Sequence, residues 1–409
     1  MIFRPGVRPA PTCEESVVRI RHALLAGALG ATTALAGQLP AAASPDTVPV
    51  TSGSGRGAAH PADSLRDLAA RVGLRMGTAV TPFELDNAAY RAITAQQFSS
   101  VTPGNEMKWQ VVEPTRGTYD WSAGDRLVDF ARRNHQLVRG HVLLWHNQLP
   151  DWLTSGVADG TISDAQLRAL LHKHVTDQVT HYKGRIWQWD VANEFFTDGD
   201  ASTLNAGDFW VAHLGPGIIA DAFRWAHQAD PTALLFYNDY NIEGVNAKSD
   251  AVYTFVRDLR AHGVPIHGVG LQAHLATQYG FPYQMRQNLQ RFADLGLKVA
   301  VTEADVRTPV KKDANGQYTD EPLTPQAQAA QESYWAQSLQ ACLAVRECIS
   351  YTAWGFGDAN SWVPSWFVGE GAALLYDRNL NPKPQYNALR DILTHTAAPH
   401  RSGRGAGRG

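Results

Sequence analysis

Glu194 closes the run WQWDVANE and Glu303 sits in VAVTEADVR, each at the end of an apolar stretch of strand character. A charge in such a place is costly unless it has a partner or a task. Two carboxylates with opposite duties are the minimum equipment for cleaving a glycosidic bond. One is protonated and donates to the leaving oxygen, while the other is ionised and attacks the anomeric carbon. In a retaining reaction the two lie about 5–5.5 Å apart. The plainer reading makes both of them ordinary ion-pair members, so their surroundings must decide. Asn193 precedes Glu194, Asp305 follows Glu303 by two, and Gln272 and His274 close another apolar run, GVGLQAH. With 12 Trp and 13 Tyr, the chain also has ample flat apolar surface on which a sugar ring can stack.

Side chains this distant in sequence meet only if the elements carrying them end at one place. Runs of strand character occupy 76–80, 98–102, 137–145, 186–193, 233–239, 267–273, 298–304 and 349–356. Helical patterns lie between them with recognisable starts. Ser163 precedes DAQLRALLHKHV, Asn246 precedes AKSDAVYTFVRDLRAHG with Gly263 as its stop, and Thr324-Pro325 opens QAQAAQESYWAQSLQACLAV. Strand then helix, eight times over, predicts an α/β fold: a (β/α)8 TIM barrel forming a single catalytic domain. A doubly wound open sheet would want a glycine-rich phosphate turn after its first strand, and MGTAVTPFEL has none.

Each predicted strand ends in polar or aromatic residues, and barrel enzymes place their chemistry there. The series runs Asn105 and Lys108, His141 and Trp145, Asn193 and Glu194, Asn238 and Asp239, Gln272 and His274, Glu303 and Asp305, then Trp354. Alternation puts Val299, Val301, Glu303 and Asp305 on one face, directed at the barrel axis, with Ala300, Thr302 and Ala304 on the other.

Seven segments occur in order: VTPGNEMKW (101–109), RGHVLLWHNQLPDW (139–152), WDVANE (189–194), YNDYN (237–241), GVGLQAH (268–274), TEADVR (302–307) and WGFGDANSW (354–362). Together they resemble glycoside hydrolase family 10, the endo-1,4-β-xylanases, over roughly Asp63 to Leu393. The resemblance implies a retaining hydrolase of internal β-1,4-xylosidic bonds, with xylan or xylo-oligosaccharide as its partner and no cofactor. It matches Glu194 to the acid/base, Glu303 to the nucleophile and Asn193 to the partner of the sugar 2-hydroxyl. His274 and Asp305 match the residues that orient Glu303 and hold it ionised. Asn105, Lys108, His141, Trp145 and Gln148 match the glycone subsites, Trp354 and Trp362 the aromatic walls, and Tyr237 and Gln272 further substrate-binding positions. Three departures are visible. Gly104 stands where many members carry a glutamate that binds the second glycone sugar; Phe195-Phe196 predicts a bulkier site edge; and TEAD replaces the commoner TELD.

Two other functions fit the same residues: a same-fold β-glycosidase acting on cellulose, mixed glucan or a glycosylated small molecule, and a non-catalytic carbohydrate-binding barrel. Retention of both glutamates with His274 and Asp305 argues against the second. With 15 His but no HExxH, and His172 and His174 facing apart on a helix, no catalytic metal is expected, though a structural one stays open; His141, His146 and His274 suit sugar binding or carboxylate support better.

A net charge of -3 gives no case for nucleic acid or an anionic membrane as partner. Arginines before the apolar run Ala23 to Gly37, followed by Ala41-Ala42-Ala43, predict a signal peptide over 1–43 and hence secretion. Residues 44–61 read as a flexible linker, 62–395 as the catalytic domain and 396–409 as a tail, with a monomer as the default state. Cys342 and Cys348 are either a disulfide or two buried thiols at a helix end. Export favours the disulfide, and their spacing resembles a pair found in the family.

Overall fold

The structure, a computed structural model, describes residues 63–397. The predicted signal peptide, the linker and all but the first residues of the tail lie outside that range. Eight strands alternate with helices: β1 (Arg75–Val80), β2 (Ser100–Pro103), β3 (Leu137–Leu144), β4 (Gln188–Asn193), β5 (Leu234–Asp239), β6 (Gly268–Leu271), β7 (Lys298–Lys312) and β8 (Cys348–Ala353). Each pairs in parallel with the next, and β8 pairs with both β7 and β1, so the sheet closes on itself. This is the (β/α)8 barrel that the strand spacing predicted. Closure leaves the barrel sheet without an open edge and brings the C-terminal ends of all eight strands to one mouth.

Local chemistry accounts for the helix starts. Ser163 and Gln166 form a reciprocal capping box at the head of helix Asp164–His181, and Asn246 with Ser249 does the same for Ala247–Ala261. Thr324 caps Pro325–Leu343, whose first position is the proline that needs no hydrogen-bond partner there. Cys342, in the last turn of this helix, is joined by a disulfide (S–S 2.09 Å) to Cys348, the first residue of β8. No helix among the described residues is long and apolar enough to cross a membrane.

The side chains lining the barrel interior correct the sequence reading. Val299 and Val301 do not face the axis; both are fully buried in the main apolar core with Leu235, Tyr237, Val269 and Tyr351. The opposite parity lines the lumen. Thr302 Oγ1 donates to Asn238 Oδ1 (2.7 Å), and a Cβ on Gly270 between them would collide with both side chains. Arg139 on β3 reaches across to donate to the carbonyl of Thr302 on β7 (2.7 Å). The lumen is therefore polar and crowded, while the apolar parity packs against the helices. Glu303 comes into the mouth although its neighbours Val299 and Val301 point outward. The ladder between β7 and β8 slips in register there, between Val301 and Ala304, and such an irregularity re-aims side chains. Similar slips follow His141 on β3 and Asp190 on β4.

β7 also runs beyond the predicted 304. Its far end pairs with His274–Ala276, with Tyr318–Pro322 and with Glu370–Gly371, tying together the loops after β6, β7 and β8.

His174 offers a test of this packing. It lies stacked on Trp109 (centroids 3.9 Å apart), and neither ring nitrogen has a partner among the described residues. Burial, aided by Lys173, pushes the imidazole down from 6.5 to about 3. The unfolded chain therefore binds a proton near its ordinary pKa that the native state refuses. The associated stability is fully present above that value and is lost as pH falls toward the depressed one, at about 1.4 kcal/mol per pH unit. His174→Phe is expected to make unfolding free energy less sensitive to acid by that slope, measured in urea at about pH 7 and about pH 4.5. Equal pH dependence in the two proteins would show that His174 is not the group responsible.

Candidate active site

Glu194 stands immediately after β4 with φ of 63°, in the left-handed region. For a residue other than glycine that conformation costs about 1–3 kcal/mol and persists only when the surroundings enforce it. Its carboxylate is half-buried and accepts two hydrogen bonds, from Trp145 Nε1 and from Gln272 Nε2, each 2.8 Å. Glu303 is only 4% exposed. It accepts from Asn238 Nδ2 (2.8 Å) and Arg139 Nη2 (3.2 Å) on one oxygen, and lies 3.4 Å from His274 Nε2 on the other. A relay of amides joins the two carboxylates. Asn193 Oδ1 accepts from Gln272 Nε2 (3.3 Å) and from Asn238 Nδ2 (2.8 Å). The Nδ2 of Asn193 has no partner among the described residues, leaving a free donor beside both acids.

Electrostatics separate the pair further. Burial opposes the charge on Glu303, but the hydrogen bond from His274 and the positive fields of His141, Arg139 and His274 outweigh it. They hold Glu303 well below the usual carboxylate range. His274 is itself desolvated, yet Asp305 at 2.8 Å from its Nδ1, together with Glu303, holds it up at about 10. A carboxylate that favours its ionised form thus neighbours a second, half-buried one whose side-chain donors, Trp145 and Gln272, are both neutral. Such a separation of environments is what lets two neighbouring carboxyl groups take different protonation states.

His141, Asp190 and Glu303 lie close enough to suggest a metal cage. The Arg139 guanidinium already fills that space, pairing with both Asp190 and Glu303, and His141 Nδ1 lies 2.9 Å from Asp190. The three histidines singled out in the sequence serve different acids: His141 contacts Asp190, His146 Asp208, and His274 Asp305 and Glu303.

Comparison with known proteins identifies the family. The family model "Glycosyl hydrolase family 10" matches residues 64–392. The chain belongs to glycosyl hydrolase family 10. It is 41% identical to an endo-1,4-beta-xylanase of Agaricus bisporus over 330 residues, covering 80% of this chain and 93% of that protein. It is 39% identical to endo-1,4-beta-xylanase B of Thermotoga neapolitana over 333 residues, covering 80% and 91%. Among solved structures, native xylanase 10B from Thermotoga maritima superposes with a TM-score of 0.74 at 38% identity, over 81% of this chain and 98% of that one. Xylanase 10B from Thermotoga petrophila in complex with xylobiose gives 0.74 at 38%, over 81% and 97%.

In this family 10 hydrolase the remaining predicted residues fall into two groups. Asn105, Lys108, Trp145 and Gln148 form one wall: Lys108 Nζ donates to Asn105 Oδ1 (3.0 Å) and Gln148 Oε1 (2.6 Å) and lies 5.0 Å from the Trp145 ring centre. Burial lowers Lys108 to about 8 against the pull of Glu303, Glu194 and Glu106. Trp354 packs edge-on to His141, and Trp362 Nε1 donates to Asp305 (2.8 Å), so the two indoles border the acids from the β8 side. Tyr237 is different. It is fully buried, its hydroxyl donates to Asp239 Oδ2 (2.5 Å) and accepts from the Phe195 amide (3.1 Å), and it presents nothing to a substrate. Phe195 and Phe196 are also buried, Phe196 packing on Tyr237 and Phe255, so they do not thicken the site edge as expected.

Three contributors were not predicted: Arg139, Asp190 and the role of Asn238. A signal existed for Arg139, which shares His141's face two residues earlier in RGH. The pairing of His141 with Asp190 needed the β3–β4 register, which only the structure supplies.

The depressed Glu303 can be tested directly. Its carboxyl carbon, followed by NMR, is expected to stay ionised as pH falls through about 4. In His274→Gln, where the leading compensation is gone and burial remains, the midpoint is expected to rise by at least about one unit. An unmoved midpoint would mean that His274 does not hold the charge.

Proposed function

We propose that this chain is a secreted endo-1,4-β-xylanase that cleaves internal xylosidic bonds by double displacement, with Glu303 as nucleophile and Glu194 as acid/base. The observation that carries the reading is the contrast between the two glutamates: one buried and held ionised by His274 and Arg139, the other half-exposed at a strained strand end. Xylan as substrate is supported by the relatives named as endo-1,4-beta-xylanases and by the related structure in complex with xylobiose.

The steps follow from the arrangement. Glu303 attacks the anomeric carbon while Glu194 gives its proton to the departing glycosidic oxygen, producing a glycosyl-enzyme ester and a free chain end. The ester removes the negative charge of Glu303, so Glu194 can then take a proton from water as that water attacks the same carbon. Glu303 leaves as carboxylate, and two inversions amount to retention. The unpaired Asn193 Nδ2 donates to the sugar 2-hydroxyl, and Lys108, Asn105, Gln148 and His141 hold the glycone hydroxyls. Trp145, Trp354 and Trp362 supply the apolar faces for the rings. Water is the only co-reactant, and neither cofactor nor metal is required. The signal 1–43, linker 44–61, catalytic domain 62–395 and tail 396–409, with a monomeric mature enzyme, complete the proposal.

Reducing-sugar release from soluble xylan but not from carboxymethyl-cellulose, with the β-anomer as first product by proton NMR, is the expected behaviour. Release from cellulose alone would move the substrate to glucans. Glu303→Ala is expected to lose about 10⁴-fold or more in kcat while keeping its circular dichroism. Substantial residual turnover would remove Glu303 from the nucleophile's role. Gly104 has room for a side chain, since a Cβ there would meet only Thr81 Oγ1 at 3.4 Å and the Val80 carbonyl at 3.9 Å. Gly104→Glu is expected to lower KM for xylotetraose about 10-fold, the worth of one charge-assisted hydrogen bond. An unchanged KM would show that this position does not face the glycone.

A further inference from the structure

The surroundings of Glu194 contain a buried ammonium that the mechanism does not use. Lys248, in the first turn of helix Ala247–Ala261, is only 3% exposed. Its Nζ lies 3.0 Å from Asp239 Oδ1 and 3.2 Å from Asp198 Oδ1, and 3.4 Å from the centre of the Tyr240 ring. Asp239 is fully buried at the end of β5. It accepts from Lys248, from the Tyr240 amide (2.9 Å) and from the Tyr237 hydroxyl. Tyr237 in turn accepts from the amide of Phe195, the residue after Glu194. Asp198, on the loop after β4, accepts from Tyr240 Oη and Asn241 Nδ2 (both 3.1 Å) on the loop after β5.

We propose that Lys248 is a positioning residue for Glu194. Through Asp239 and Tyr237 it fixes the backbone at Glu194–Phe195, and through Asp198 it clasps the loops after β4 and β5. The inference rests on the reading of Glu194 as acid/base.

The physical logic lies in the direction of each hydrogen bond. A hydroxyl has one proton. While Asp239 is ionised, that proton points at the carboxylate and leaves a Tyr237 lone pair for the Phe195 N–H. Burial pushes Asp239 up to about 7 against the opposing pull of Lys248 and the Tyr237 hydrogen bond. Without the ammonium Asp239 takes a proton: on Oδ2 that proton is donated to Tyr237, and on Oδ1 it leaves Oδ2 a neutral carbonyl that accepts from Tyr237 more weakly than the carboxylate did. In the first case the tyrosine's own proton turns toward the Phe195 amide, where two donors meet; in the second the hydroxyl is held less firmly beneath that amide. Among the described residues two hydrogen bonds tie the 194–195 backbone to β5, Glu194 N–H to the Asn238 carbonyl (3.0 Å) and Phe195 N–H to the Tyr237 hydroxyl. Losing one releases the left-handed turn at Glu194 and misaims its carboxyl.

The test uses leaving groups. kcat/KM for an aryl β-xylobioside reports formation of the glycosyl-enzyme. A phenyl leaving group needs the proton from Glu194, whereas 2,4-dinitrophenolate departs unaided. Lys248→Met is expected to lose about 100-fold on the phenyl substrate and less than about 3-fold on the dinitrophenyl one, the signature of a displaced general acid. Lys248→Arg, which keeps the charge, is expected to recover most of the loss. Equal losses on both substrates would mean a general structural defect, and no loss on either would mean no positioning role; both overturn the proposal. Should Lys248→Met fail to fold, Tyr237→Phe leaves the ion pair intact and is expected to show the same split, with an equal loss on both again overturning it. Glu194→Ala serves as the reference. If it loses both substrates equally, the assignment of Glu194 itself falls, separately from the Lys248 result.

Discussion

Keeping one negative charge inside the mouth of a barrel sets the terms for most of this structure. Glu303 is nearly inaccessible to water, and a carboxylate there is stable only if the protein replaces what hydration would have given. Arg139, Asn238 and His274 do so, and each then makes demands of its own. The guanidinium of Arg139 is itself buried and requires Asp190, which also orients His141. The imidazolium of His274 requires Asp305, which in turn fixes Trp362. The consequence is a lumen packed with alternating charge where an ordinary barrel interior would carry branched apolar side chains. The apolar face of each strand is left for the helices.

This explains which parts were legible in the sequence. The alternation of eight strands with helices and the three helix caps are legible in the sequence because each depends on local pattern. Ser163 with Gln166 and Thr324 before Pro325 are short-range chemistry that tertiary packing had no reason to override. The orientation of β7 was misread for the opposite reason. A lumen that is polar inverts the usual inference that valines face inward, and a slip in register then turns Glu303 against its own strand's alternation. Neither fact has a signature in one chain segment.

Arg139 and Tyr237 illustrate the same division from the side of function. Arg139 acts across the barrel, from β3 to the backbone of β7, so its partner lies far away in sequence. Tyr237 matches a site position in the family pattern, yet it works from below, on the main chain, with no atom exposed to the cleft. Sequence similarity reports that a position matters. It does not report whether the side chain meets the sugar or holds the residue that does.

The length of β7 has a consequence for how such an enzyme can diversify. Past the barrel rim this strand shares its backbone hydrogen bonds with segments from the loops after β6, β7 and β8. An insertion in one of them would unpair the others, so that side of the cleft can be altered by exchanging side chains but resists changes in length. The turns that follow β1 to β3 carry no such ladder to a neighbouring loop among the described residues. Ordinary surface loops accept insertions and deletions. Change by loop growth is thus freer on the side of the rim above β1 to β3 than on the side knitted to β7.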